Sequence, residues 1–234
     1  MAAAFVPPRH TVHSMDSWRE IMDHFLKKIN ALVSQGLTPE EARVLVLGTC
    51  DFFVDFDGTT SVITKRDDEL DFVYGMLSSA MELEGRKPKP AKPVVMDVDG
   101  QSVTVSAVDD DVIGFLNSVI GAGGNVVIVT ARHESSRKNT ADLLERLGLI
   151  PTGFLFTGGK RATKIDAIVQ ASYPDEKVVH YGNGPKRTVA QRFGRSVVFI
   201  DDESHNIEAA ASSSKFDVGD TYTVIRYTGM STLN

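Results

Sequence analysis

"NVVIVTARHESSRKNTADLLERLGLIPTGFLFTG", residues 125–158, carries the pattern on which the fold rests. It opens on a run of apolar residues, Val126 to Val129, with no alternation between apolar and polar positions. A strand of that kind is buried on both faces. The stretch "NTADLLERLG" reads as a helix, with Asn139 placed to cap its start and Gly148 to end it. "GFLFTG" is then a second strand. Strand, helix and strand at these lengths form a βαβ unit, which implies a parallel sheet covered by helices.

The same rhythm extends in both directions. Upstream lie the strand "VVMDVDG" (94–100) and the helix "DDDVIGFLNSVIGAGG" (109–124), whose Val112, Phe115, Leu116 and Val119 share one face. Downstream come the helix "TKIDAIVQA" (163–171), the strand "KVVHYGN" (177–183), the helix "RTVAQRFG" (187–194) and the strand "SVVFIDD" (196–202). A short helix, "IEAAASSS" (207–214), and a last strand, "YTVIRY" (222–227), close the series. The expected fold is a three-layer, Rossmann-like α/β sandwich over residues 91–234.

Residues 1–90 read differently. Trp18, Ile21, Met22, Phe25, Leu26, Ile29, Leu32 and Val33 recur at helical spacing over 15–34. Thr38, Pro39 and Glu41 form a helix start with a capping box. A third helical pattern lies within 67–85, and "EGRKPKPAKP" (84–93) reads as an exposed connector. This segment is expected to be a helical appendage, with an apolar face that packs on the domain or on a protein partner.

Composition narrows the function. The chain has 234 residues, 42% hydrophobic and 24% charged, as in ordinary globular proteins. One cysteine, Cys50, excludes an intrachain disulfide and a cysteine-based metal cluster. No apolar stretch is long enough to span a bilayer and no secretory signal is evident, so the expected location is the cytoplasm, away from membranes. A net charge of −6 argues against a broad nucleic-acid surface.

Ligands of open α/β sheets bind at the carboxyl ends of the strands. Those ends collect Asp97 and Asp99, then Thr130 and Arg132, then Lys160 and Lys164, and finally Asp201 and Asp202. Clustered carboxylates repel one another, and a bound cation relieves this; oxygen ligands of this kind suit Mg²⁺. A phosphate group accounts for the ammonium and the hydroxyl, and a carboxylate is a competent nucleophile towards phosphorus. "GFLFTGGKRA" lacks the residue order of a nucleotide-binding P-loop.

The ordered set "VVMDVDG", "VVIVTAR" and "VVFIDDESHN" resembles the haloacid dehalogenase (HAD) superfamily of aspartate-nucleophile phosphatases. The resemblance implies Asp97 as nucleophile and Asp99 as general acid/base. It implies Thr130 and Lys164 on the phosphoryl group, and Asp201 and Asp202 with the aspartate pair on Mg²⁺. The expected activity is a Mg²⁺-dependent phosphomonoester hydrolase. Its substrate would be a small molecule, a nucleic-acid end or a phosphoprotein. The alternative is an inactive binding relative on the same fold. Lys160 and Lys186 are alternatives to Lys164. A second stretch, "FFVDFDGTT" (52–60), offers Asp55 and Asp57 in the same arrangement. It has Thr59 after its glycine, as the family pattern does, where the other stretch has Gln101. Asp97 is preferred because a single crossover helix then links its strand directly to the Thr130 strand. That choice leaves the site without an inserted cap.

Overall fold

The computed structural model describes residues 10–64, 94–98, 101–108, 110–158, 164–172, 196–212 and 222–229. The expected elements at 67–85, 177–183 and 187–194, together with Asp99, Lys160, Asn183 and Lys186, lie outside the described residues.

A six-stranded sheet forms the centre, in the order β1 (Val12–Met15), β9 (Tyr222–Tyr227), β8 (Ser196–Asp201), β2 (Cys50–Asp55), β6 (Asn125–Thr130), β7 (Gly153–Phe156). Every pairing in it is parallel. Helices α1 (Trp18–Ser34) and α3 (Asp110–Gly121) cover one face, where Trp18, Ile21, Phe25, Phe115 and Leu116 meet Phe52, Val54, Ile128 and Ile200. On the other face, α5 (Lys164–Ser172) and α6 (Ser204–Ser212) bring Ile165, Ile168 and Ile207 against Phe53, Val129 and Phe199. Alternate residues of each strand thus point into two separate cores, which is why the strands read as unbroken apolar runs. The arrangement is α/β and Rossmann-like.

Local signals are realised closely in α1 and less closely elsewhere. Ser17 caps α1 by accepting from the Glu20 amide. Thr38 and Glu41 form the expected capping box at the start of α2 (Pro39–Arg43), which passes at once into a π-helical turn, Val44–Gly48. Helix α4 (Arg137–Arg146) begins before Asn139, preceded by a 3₁₀ turn at Glu134–Ser136, so Asn139 lies inside the helix and caps nothing. Gly148 ends that helix with φ +89°, a conformation that favours glycine.

Two expectations are corrected by the topology. The chain before residue 91 is no helical appendage: it supplies β1 and β2, and β2 is an inner strand of the sheet, flanked by β6 and β8. The strand of "VVMDVDG" is not in that sheet. It is β4 (Val94–Val98), which pairs antiparallel with β5 (Gln101–Ala107), itself paired antiparallel with β3 (Ser61–Thr64). The first strand of the βαβ series is therefore β2, and the small antiparallel sheet is inserted between it and α3. Antiparallel pairing is the physical reason. Asp97 is in register with Ser102 on antiparallel β5, so the strand that follows β4 in the chain runs back along it and β4 does not feed a crossover helix.

Candidate active site

Strand β2 is buried along its whole length and delivers Asp55 at its carboxyl end. Asp55 is in register with Val129 on β6, one residue before Thr130, and Val54 is in register with Ile200 on β8, one residue before Asp201. Parallel pairing therefore brings Asp55, Thr130 and Asp201 to one edge. The chain leaves β2 through Phe56, Asp57, Gly58, Thr59 and Thr60, folded back by bonds from the Thr60 and Ser61 amides to the Phe56 carbonyl. Gly58 adopts φ +86°, and a Cβ there would fall 2.5 Å from Asp202 Oδ2. Glycine is needed at this point both for the turn and for the close approach of that carboxylate.

One carboxylate oxygen from each of Asp55, Asp201 and Asp202 lies within 4.8 Å of the other two. Lys164, at the start of α5, reaches between two of them: its Nζ is 2.6 Å from Asp55 Oδ1 and 2.9 Å from Asp201 Oδ2. All three of these side chains are buried. Asn206 donates its amide to both oxygens of Asp201, and the Glu203 backbone amide donates to Oδ1. Thr59 Oγ1 donates to Asp202 Oδ1 over 3.1 Å.

Charge balance here is incomplete. Burial pushes the Asp55 carboxyl well above its ordinary range; repulsion from Asp201 adds to this, and Lys164 opposes it without cancelling it. Asp202 is also raised, first by burial and then by Asp201. Burial lowers Lys164, but the Asp55 and Asp201 carboxylates outweigh that and its net shift is upward, so it stays an ammonium. Three acids share one buried cation, and a further positive charge would relieve them. The donors are all carboxylate oxygens, the set that hard cations such as Mg²⁺ prefer. The residues present fit that ion.

Asp57 stands at the rim with its side chain 47% exposed. Arg132 grips it with two bonds, Nε to Oδ2 at 2.9 Å and Nη2 to Oδ1 at 2.7 Å. The guanidinium also lies 4.5 Å from the centre of the Phe56 ring, which fixes its plane. Thr130 is fully buried, and its hydroxyl accepts from the Arg132 backbone amide.

Of the residues singled out in the sequence, the structure thus brings together Lys164, Asp201 and Asp202, with Thr130 on the adjoining strand end. The aspartate that joins them is Asp55. Asp97 belongs to β4 in the small antiparallel sheet and not to the parallel sheet whose strand ends form the site. The residue after the glycine points to Asp55, a signal outweighed in the sequence by the length of the crossover: Thr59 uses its hydroxyl on Asp202. His133 and His205 are exposed and hold local partners, Ser135 and Glu203. Among the described residues, no helix is long and apolar enough to cross a membrane.

No protein-family model and no curated protein matches the chain. Among solved structures, the catalytic domain of the CPx-ATPase CopB-B is similar at 12% identity and a TM-score of 0.34, over 81% of this chain and 82% of that one. A likeness this loose says nothing about the chemistry of the site.

Proposed function

We propose that the chain is a Mg²⁺-dependent phosphomonoester hydrolase of the HAD type that works through a phospho-aspartate on Asp55. The observation that supports this most is the ion-pair geometry. A buried lysine bridges the carboxylate at the end of β2 and a second acid at the end of β8, while a third acid stands beside them.

Asp55, Asp201 and Asp202 would hold the ion, which when bound screens the carboxylates from one another and from an incoming phosphate. The chain's own groups do the rest. An Asp55 carboxylate oxygen attacks phosphorus, and the bond from phosphorus to the ester oxygen breaks. Asp57, protonated from solvent and released by Arg132 as substrate binds, gives that proton to the departing oxygen. Asp57 then takes a proton from water as the water attacks the phospho-aspartate; inorganic phosphate leaves and Asp55 is regenerated. Lys164 and the Thr130 hydroxyl stabilise the charge that builds on the phosphoryl oxygens. Arg132 holds the ionised Asp57 in place between the two proton transfers.

Rapid acid quenching during turnover of an aryl phosphate, followed by peptide mapping, tests the reading. Label on Asp55, formed only with Mg²⁺ present, is expected. Turnover with no acyl phosphate, or with label on another residue, would overturn it.

A further inference from the structure

Trp18 is the chain's single tryptophan and is fully buried. It opens helix α1, far in sequence from every acid of the site. Its ring lies near Phe115 and Tyr227, with centroids 6.1 and 6.2 Å away. The indole does more than fill space. Its Nε1 donates to the Thr59 carbonyl over 2.8 Å, in a buried bond. Thr59 is itself fully buried, and its hydroxyl donates to Asp202 Oδ1. One residue is thus held by its carbonyl from α1 while its side chain holds an acid of the cluster. The anchor is itself fixed: Ser17 caps the helix, and the Glu20 carboxylate accepts from the Asp16 amide.

We propose that Trp18 is a positioning residue for the metal centre, tying helix α1 to Asp202 through Thr59. This rests on the reading of Asp55, Asp201 and Asp202 as metal ligands. Asp202 belongs to a turn outside any strand or helix, so its carboxylate needs a side-chain partner to fix it. The loop that supplies the partner turns through a left-handed glycine, Gly58. Without the indole bond, the peptide between Thr59 and Thr60 keeps only the Thr60 amide bond to Phe56, and the Thr59 hydroxyl is held less firmly towards Asp202. Groups that orient metal ligands typically change affinity by about 10- to 100-fold when removed.

Calorimetric titration with Mg²⁺ alone, on the full chain, tests the proposal. Trp18→Phe keeps an aromatic ring and deletes the donor; Thr59→Val deletes the hydroxyl. Each is expected to weaken Mg²⁺ binding about tenfold. The double variant should be no weaker than the weaker single one, because both break the same chain of bonds. Phe25→Leu, buried on α1 against Phe52 and Phe115, should lower the melting temperature and leave Mg²⁺ affinity unchanged. The wild-type protein gives a readout that needs no variant: Trp18 emission should shift as Mg²⁺ saturates. Wild-type affinity in Trp18→Phe, full additivity of the two changes, or unshifted emission at saturation would each overturn the role of Trp18 while leaving the metal site intact. A wild-type chain that binds no Mg²⁺ would overturn the metal site and this role together.

Discussion

The chain contains the pattern Asp-x-Asp-Gly twice, as "DFDG" at 55–58 and "DVDG" at 97–100, and the two occurrences have different surroundings. The first ends an inner strand of a parallel sheet, between two strands that themselves end in Thr130 and Asp201. The second starts on a strand, at Asp97 and Val98, whose neighbour in a three-stranded sheet runs antiparallel to it. An aspartate pair becomes a site when neighbouring strands run the same way and deliver their own side chains to the same edge. Antiparallel neighbours place strand beginnings and ends alternately, so no such convergence follows.

The sharpest way to break this comparison is to neutralise one aspartate in each stretch. Asp55→Asn should lower aryl phosphate turnover by about three orders of magnitude or more, as loss of a nucleophile does. Asp97→Asn should stay within about twofold of wild type. Equal losses, or the reverse order, measured as kcat at saturating Mg²⁺, would return the chemistry to the second stretch.

The next effect is on stability. Lys164→Met leaves Asp55 and Asp201 buried without their counter-charge, which typically costs about 3–5 kcal/mol. Urea unfolding without metal should show that loss, and Mg²⁺ should restore part of it. An unchanged midpoint would mean that the first stretch is not the buried charge cluster described above.

A smaller contrast separates the rims. Arg132→Gln removes the bidentate hold on Asp57, and a misplaced proton donor can reduce kcat/KM by about 100-fold. Its effect on stability should stay within about 1 kcal/mol, because the pair is partly exposed. Arg146, whose guanidinium reaches the Val95 carbonyl on β4, should be replaceable by Gln without change in turnover. If both substitutions behave alike, the arginine at the first stretch has no role in orienting Asp57.

The smallest effect concerns acid. His24 on α1 is lowered to about 4, by burial first and then by Lys28, His13 and Lys27. The unfolded chain therefore binds more protons between pH 6.5 and 4, and the stability present above 6.5 falls as pH drops through that window. Asp55 and Asp202 act in the opposite sense. Their folded values are raised, so without metal their contribution is fully present below the ordinary 3.8 and is lost as pH rises through the raised values. His24→Gln should flatten the acid loss in a pH series of melting temperatures. A curve that keeps its slope would assign that loss to other groups.

Much of the site was readable in the sequence. Lys164, Asp201 and Asp202 were placed by a rule about strand ends, and β6, β8, α3 and α5 were placed by hydrophobic pattern. The first strand was not. "FFVDFD" and "VVMDVD" are equally apolar, and both end in two acids beside a glycine. Distance along the chain favoured the nearer of them, because a single crossover helix is the ordinary link between parallel strands. The insertion of a small sheet between β2 and α3 defeats that preference. Trp18 gave no signal at all: its helical spacing marks a core residue, and nothing in a periodic apolar face says which member donates a hydrogen bond.

By itself the sequence determined the alternation of strands and helices, the burial of strands on both faces, and the residue types that meet at the carboxyl edge. These follow from local hydrophobic period and from the fixed direction of parallel strands. Which aspartate pair lies among those residues, and that the one tryptophan bonds to the loop beside them, was decided by tertiary structure. Strand order is set by long-range pairing and by the packing of two cores, and neither is written in the spacing of neighbouring residues.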